Sequence, residues 1–164
     1  AGLEGTSIIA AEKEEKLLET LPRELVDVAK GFKEYLSVIP ESKIAMEVGV
    51  SAMHDVTEGG VFGALWELGE ASGVGITAHL DKIPIKQETI EVCEVFKINP
   101  YMLISSGSMM IGCEKGNLLV EKLEEAGINA AVIGRATEGN DRIVVSRDET
   151  RYIGPAGSDE LYKI

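Results

Sequence analysis

Within residues 51–73 the hydrophobic period changes, and that change commits the chain to a strand–loop–helix unit. Val50, Ala52 and His54 alternate with Ser51 and Met53, the period of a strand. From Gly60 onward, Val61, Ala64, Leu65, Leu68 and Ala71 share one helical face, and Gly73 is placed to stop the helix. The intervening loop, Asp55-Val56-Thr57-Glu58-Gly59-Gly60, holds three oxygen-bearing side chains and two successive glycines. Asp55 and Glu58 have capping-box spacing, and Thr57 is an equally good N-cap. The glycines permit positive φ and close backbone approach where the unpaired N–H groups of the helix begin, which suits an anion and phosphate above all. The same pattern also describes a capped helix with no ligand, and the residues alone leave both readings open.

Charge narrows the classes of function. The chain has 164 residues, with 28 acidic against 16 basic side chains and a net charge of −12, so no basic stripe exists for nucleic acid or an anionic membrane. An acidic domain that handles a nucleotide needs Mg²⁺ or basic residues from elsewhere. The two cysteines, Cys93 and Cys113, fall outside any C-x-x-C pattern and read as small buried hydrophobes of a reducing compartment. With only two histidines, His54 and His79, a structural zinc site is not expected. No apolar run approaches the about 20 residues of a membrane span, and no signal peptide opens the chain, which predicts a cytoplasmic protein. The chain begins at Ala1 rather than Met and reads as a fragment.

Around the central unit the pattern is mixed. Thr6–Ala10 reads as an edge strand or the tail of one, and Ala11–Leu21 as an amphipathic helix. Leu25, Ala29, Phe32 and Leu36 mark a helix after Pro22, and Pro40 to Gly49 a further short one. Strands are expected at Val74–Leu80, Ile128–Ile133 and Arg142–Ser146, with helices over Lys86–Phe96 and around Leu119–Ala126. Met109–Cys113 is a short apolar run, and the last residues carry weak order signals. Short strands separated now by helices, now by turns, predict one α/β (α+β) domain over 1–164 with a mixed sheet and helices packed on it.

Other chemistry is sparse. Ser105–Ser108 can present hydroxyls and N–H groups to a ligand, or form a turn before a strand. His54, beside Asp55, can act in acid–base chemistry, although a short strand more often holds such a residue packed and hydrogen-bonded. No catalytic triad spacing, G-x-G-x-x-G or P-loop occurs.

In their order and spacing, Met53-His54-Asp55-Val56-Thr57-Glu58-Gly59-Gly60, Ala71-Ser72-Gly73-Val74-Gly75, Ile83-Pro84-Ile85, Asn99-Pro100 and Ile104-Ser105-Ser106-Gly107-Ser108 resemble the C-terminal domain of the AIR synthase (aminoimidazole ribonucleotide synthase) superfamily. They are most similar to its branch of HypE-type hydrogenase maturation proteins. The resemblance implies a three-layer α/β/α fold, partly ferredoxin-like, paired with its own N-terminal ATP-binding domain in a homodimer. It implies an ATP-dependent enzyme that activates an amide-like or carbonyl oxygen by phosphorylation, turning a poor leaving group into phosphate. Asp55, Thr57, Gly59 and Gly60 match the family's D-x-[ST]-x-G-G signature, which faces phosphates and metal. Ser106 and Gly107 are further phosphate-site residues, and Asp55 and Glu58 are Mg²⁺ ligands in this reading. The chain departs from the hydrogenase branch in two places. It ends Leu161-Tyr162-Lys163-Ile164 without a Pro-Arg-Ile-Cys tail, and it has Ser106-Gly107 where that branch has Glu-Gly. The expectation is therefore a related paralogue, inactive by itself; the alternative is a non-enzymatic binding or interaction module that reuses the fold.

Overall fold

The structure is a computed structural model that describes residues 1–147 and 149–164. Helices α1 (Leu3–Glu12), α2 (Glu14–Leu18), α3 (Arg23–Gly31) and α4 (Ile39–Val48) come first. Strand β1 (Ala52–Asp55) then leads into α5 (Gly60–Ser72) and β2 (Gly75–His79). After these come α6 (Gln87–Phe96), β3 (Met109–Gly112) and α7 (Gly116–Glu125). The chain closes with β4 (Gly134–Thr137), β5 (Arg142–Ser146) and β6 (Glu149–Tyr152).

The strands form two sheets. β1 and β3 make an antiparallel ladder in which His54 faces Met110 and Asp55 faces Met109. The other four are ordered β4-β2-β5-β6, with β2 and β5 parallel and both edges antiparallel. This is the expected α+β class, and the sheet is mixed. Burial divides the core into three clusters. Helices α1, α3 and α6 enclose Ile9, Leu17, Val26, Ala29, Val92 and Leu103. Helix α5 packs its Val61, Ala64 and Leu65 with Ile76 of β2 and Val144 of β5. Helices α4 and α7 meet through Ala45, Leu119 and Leu123, with Ile111 of β3 against them.

Two expected strands are absent. Thr6–Ala10 lies inside α1, whose Gly5, Thr6, Ser7, Ile9 and Ala10 are all buried. A helix enclosed on most sides shows no clean 3.6-residue stripe, so a short run of it reads as a strand. Ile128–Ile133 is irregular, and the strand that pairs with β2 begins at Gly134 instead. The helix expected over Ala11–Leu21 breaks at Lys13. Ala71, expected on the apolar face of α5, is exposed. The chain end, expected to be weakly ordered, supplies β6 and a 3-10 turn, Glu160–Lys163, whose Leu161 and Ile164 pack on the first core cluster.

Candidate functional site

Because β1 and β3 run antiparallel with Asp55 opposite Met109, the loop after β1 and the loop before β3 lie at the same end of the ladder. The Val56 N–H donates to the Ser108 carbonyl at 2.9 Å and ties them together. The register therefore brings 55–60 and 105–108, two separate stretches of sequence, side by side.

Within the first loop the side chains divide by exposure. Asp55, Thr57 and Glu58 are exposed, whereas Val56, Gly59 and Gly60 are buried. Helix α5 is preceded by Gly59 as N-cap, in the left-handed region at φ 77°, and the N-cap residue itself makes no side-chain cap bond. The capping roles expected of Asp55, Glu58 and Thr57 are therefore not filled; the three precede the helix and face water. Gly60 is also left-handed, at φ 60°, and a β-carbon there would come within 2.7 Å of the carbonyl oxygens of Tyr101 and Leu103. Close backbone approach at the two glycines is real, and the neighbour is the chain itself.

The Gly59 N–H is occupied. It donates to Asp159 Oδ2 at 2.7 Å, and Asp159 Oδ1 accepts the Leu161 N–H at 2.9 Å. Asp159 is only 3% exposed. An acid that reaches back to the N–H of an N-cap is the second half of a capping box, normally supplied from within the same helix. Here Phe62 stands at that helical position, and the carboxylate comes from 100 residues downstream. From the same segment, the Tyr162 hydroxyl donates to Glu58 Oε1 at 2.5 Å, and that bond, with the Glu58 charge, holds the phenol above its usual pKa. Neither Asp159 nor Tyr162 was singled out from sequence. Asp159 does carry a local signal, because an Asp before a short turn is a good N-cap, but its distant partner has none.

In the second loop, Ser105 is fully buried; its hydroxyl accepts the Gly2 N–H at 2.6 Å and donates to the Leu103 carbonyl at 2.7 Å. Ser106 and Gly107 form the turn, with Gly107 close against the Tyr35 carbonyl. His54 on β1 is half-buried, its Nε2 2.9 Å from Glu67 Oε2 of α5 and its Nδ1 3.7 Å from Asp55 Oδ1. With Nε2 protonated it donates to Glu67 and pins the strand to the helix. Among the described residues no group of three or more His, Cys, Asp or Glu is placed to hold a metal ion. Also among them, no helix is long and apolar enough to cross a membrane.

Comparison with known proteins gives the family and the fold. A protein of Methanocaldococcus jannaschii named for hydrogenase expression and formation is 33% identical over 153 residues, which are 87% of this chain and 45% of that one. Carbamoyl dehydratase HypE of Rhodobacter capsulatus is 28% identical over 97 residues, 57% of this chain and 28% of that one. A solved hydrogenase maturation protein HypE in complex with ATP superposes with a TM-score of 0.64 at 19% identity, over 73% of this chain and 40% of that one. The chain thus spans less than half the length of these relatives. The sequence model described as AIR synthase related protein, C-terminal domain, matches residues 1–146, and the chain accordingly belongs to that family.

Proposed function

We propose that this domain supplies part of an ATP site in a longer, AIR synthase-related enzyme that activates an amide-like or carbonyl oxygen by phosphorylation. The observation that carries the reading is the division of the 55–60 loop. Its three oxygen-bearing side chains face water together, while Gly59 and Gly60 are locked beneath them. Ser106 and Gly107 stand beside the loop, where their backbone can meet a phosphate. A relative's complex with ATP supports the nucleotide.

The residues fit Mg²⁺ in a limited way. That ion keeps several waters and takes one or two carboxylates plus substrate phosphates, rather than an all-protein cage. Asp55, with its side chain 64% exposed, and Glu58 match such a shared site. When bound there, Mg²⁺ would neutralise phosphate charge. Asp55 and Glu58 would orient it, and the Tyr162 hydroxyl would hold one Glu58 oxygen in place. The remaining ligands and the positive charge would come from the protein's own N-terminal domain. In this reading the intact protein is a cytoplasmic homodimer, and the domain alone is inactive.

One contact favours the contrary reading, a binding or interaction module: Asp159 already fills the Gly59 N–H. Titration of the two-domain protein with a non-hydrolysable ATP analogue separates the two. Expected is Mg²⁺-dependent binding weakened tenfold or more by Asp55→Asn, with stability unchanged. Equal affinity of variant and wild type would leave the loop a structural element only.

A further inference from the structure

The segment 154–159, Gly-Pro-Ala-Gly-Ser-Asp, has the composition of a loop and ends in an acid. Residues 154–158 are all exposed, and a β-carbon at Gly154 or Gly157 would meet nothing within 4 Å. Asp159 is the buried one of the six, because it turns inward onto the head of α5. Its carboxylate takes the Gly59 N–H at 2.7 Å. The Ala156 methyl lies so close that β-carbons at Gly59 and Gly63 would come within 2.9 and 3.2 Å of it. The segment therefore lies across the loop 55–60 as a cover. That loop falls inside residues 1–146, which match the family model, and the cover falls outside them.

Two features let the cover leave without unravelling what surrounds it. The residues beyond it have anchors of their own. Asp159 Oδ1 caps the following turn through the Leu161 N–H, Leu161 and Ile164 pack on the first core cluster, and Tyr162 holds Glu58. The bond from Oδ2 to Gly59 can open while that turn stays formed. A phosphate that replaces the carboxylate exchanges one charge-assisted hydrogen bond for another, so the Gly59 N–H is not left without an acceptor. The two anions exclude each other, since they compete for one N–H and like charges at that distance repel.

We propose that 154–159 is an autoinhibitory cover in which Asp159 stands in for a phosphate group at the Gly59 N–H, so that nucleotide binds only after Asp159 has left. This rests on the nucleotide reading of the loop and adds the regulation of that site. Apparent affinity is then lowered by the fraction of molecules whose cover is open.

One variant loosens the cover and another fixes it in place, both made in the intact two-domain protein. Asp159→Asn removes the competing charge. Gly63→Cys combined with Ala156→Cys sets two thiols on β-carbons close to the disulfide range of about 3.5–4.5 Å. A non-hydrolysable ATP analogue with Mg²⁺ is titrated into each by calorimetry. Asp159→Asn should bind about fivefold tighter than wild type or more, and the double-cysteine protein about tenfold weaker or more when oxidised than when reduced. Both redox forms keep the Asp159 charge, so the second ratio reports displacement and not electrostatics. Affinity of Asp159→Asn no higher than wild type, or equal affinity of the oxidised and reduced forms, would overturn the cover and leave the nucleotide reading standing. Absence of binding by wild type and Asp159→Asn alike would overturn the nucleotide reading and the cover with it.

Discussion

At the scale of single residues, the head of α5 shows how close contact and hydrogen bonding divide the work. A β-carbon at Gly60 meets backbone on two sides, not a flexible side-chain end. Gly60→Val should therefore cost about 3 kcal/mol in urea unfolding, and it probes packing rather than anion binding. Asp159→Ala leaves two N–H groups of a buried site without their acceptor and should cost about 2–3 kcal/mol. Asp159→Asn, which keeps one acceptor oxygen, should cost less in the same measurement. Cys93 gives the pH-dependent case. Burial, and then the Glu160 charge, push its thiol from 9.0 up to about 12. Because the folded value is the higher one, the contribution is whole below pH 9 and is lost as pH rises from 9 toward 12. Wild type should lose up to roughly 1.4 kcal/mol per pH unit over that window relative to Cys93→Ala, compared by denaturant unfolding at each pH. The oxygen-rich loop and its glycines were legible from residue types alone. What the glycines touch was not, since Tyr101, Leu103 and Asp159 are set by tertiary packing.

Among the elements, period succeeded where one face is buried and failed elsewhere. Helix α5 ends at the glycine expected, Gly73, and α6 buries Thr89, Val92 and Cys93 as its spacing requires. Helix α1 is buried on most sides, polar Thr6 and Ser7 included, and 128–133 is irregular, so neither has a neighbour pattern that a period can report. Phe62 and Trp66, off the main apolar face of α5, do pack between elements. Phe62 stacks on Tyr101 at 5.6 Å, and Trp66 lies 5.5 Å from the Arg142 guanidinium of β5. Arg142 also pairs with Glu70 at 3.0 Å, but Glu70 is largely exposed and Arg142 Nε has no partner. The two effects oppose one another, so Arg142→Met should change stability by no more than about 1 kcal/mol. Trp66→Ala, which removes a large packed surface, should cost about 3 kcal/mol. Denaturant unfolding followed by circular dichroism checks both, since Trp66 is the sole tryptophan and its fluorescence is lost in one of them.

For the whole molecule, class and family could be read from the chain because short strands, helices and motif order all survive in one dimension. The division into two sheets could not, since strand pairing joins residues such as Ala52 and Gly112 that share no local signal. If the ATP site needs a second domain, the purified 164-residue chain should hydrolyse ATP no faster than buffer. Mg²⁺-dependent turnover abolished by Asp55→Asn, measured by phosphate release, would show that the domain suffices.

The bond from Gly59 to Asp159 also sets an order of events during synthesis. The two residues are 100 positions apart, and ribosomes add roughly 5–20 residues per second, so about 5–20 s separate the making of the loop from the making of its acid. For that interval a nascent chain carries the head of α5 with the Gly59 N–H uncovered. A chain stalled or cut before Asp159 would keep that state permanently, and quality-control proteases would meet it as an unfinished helix end.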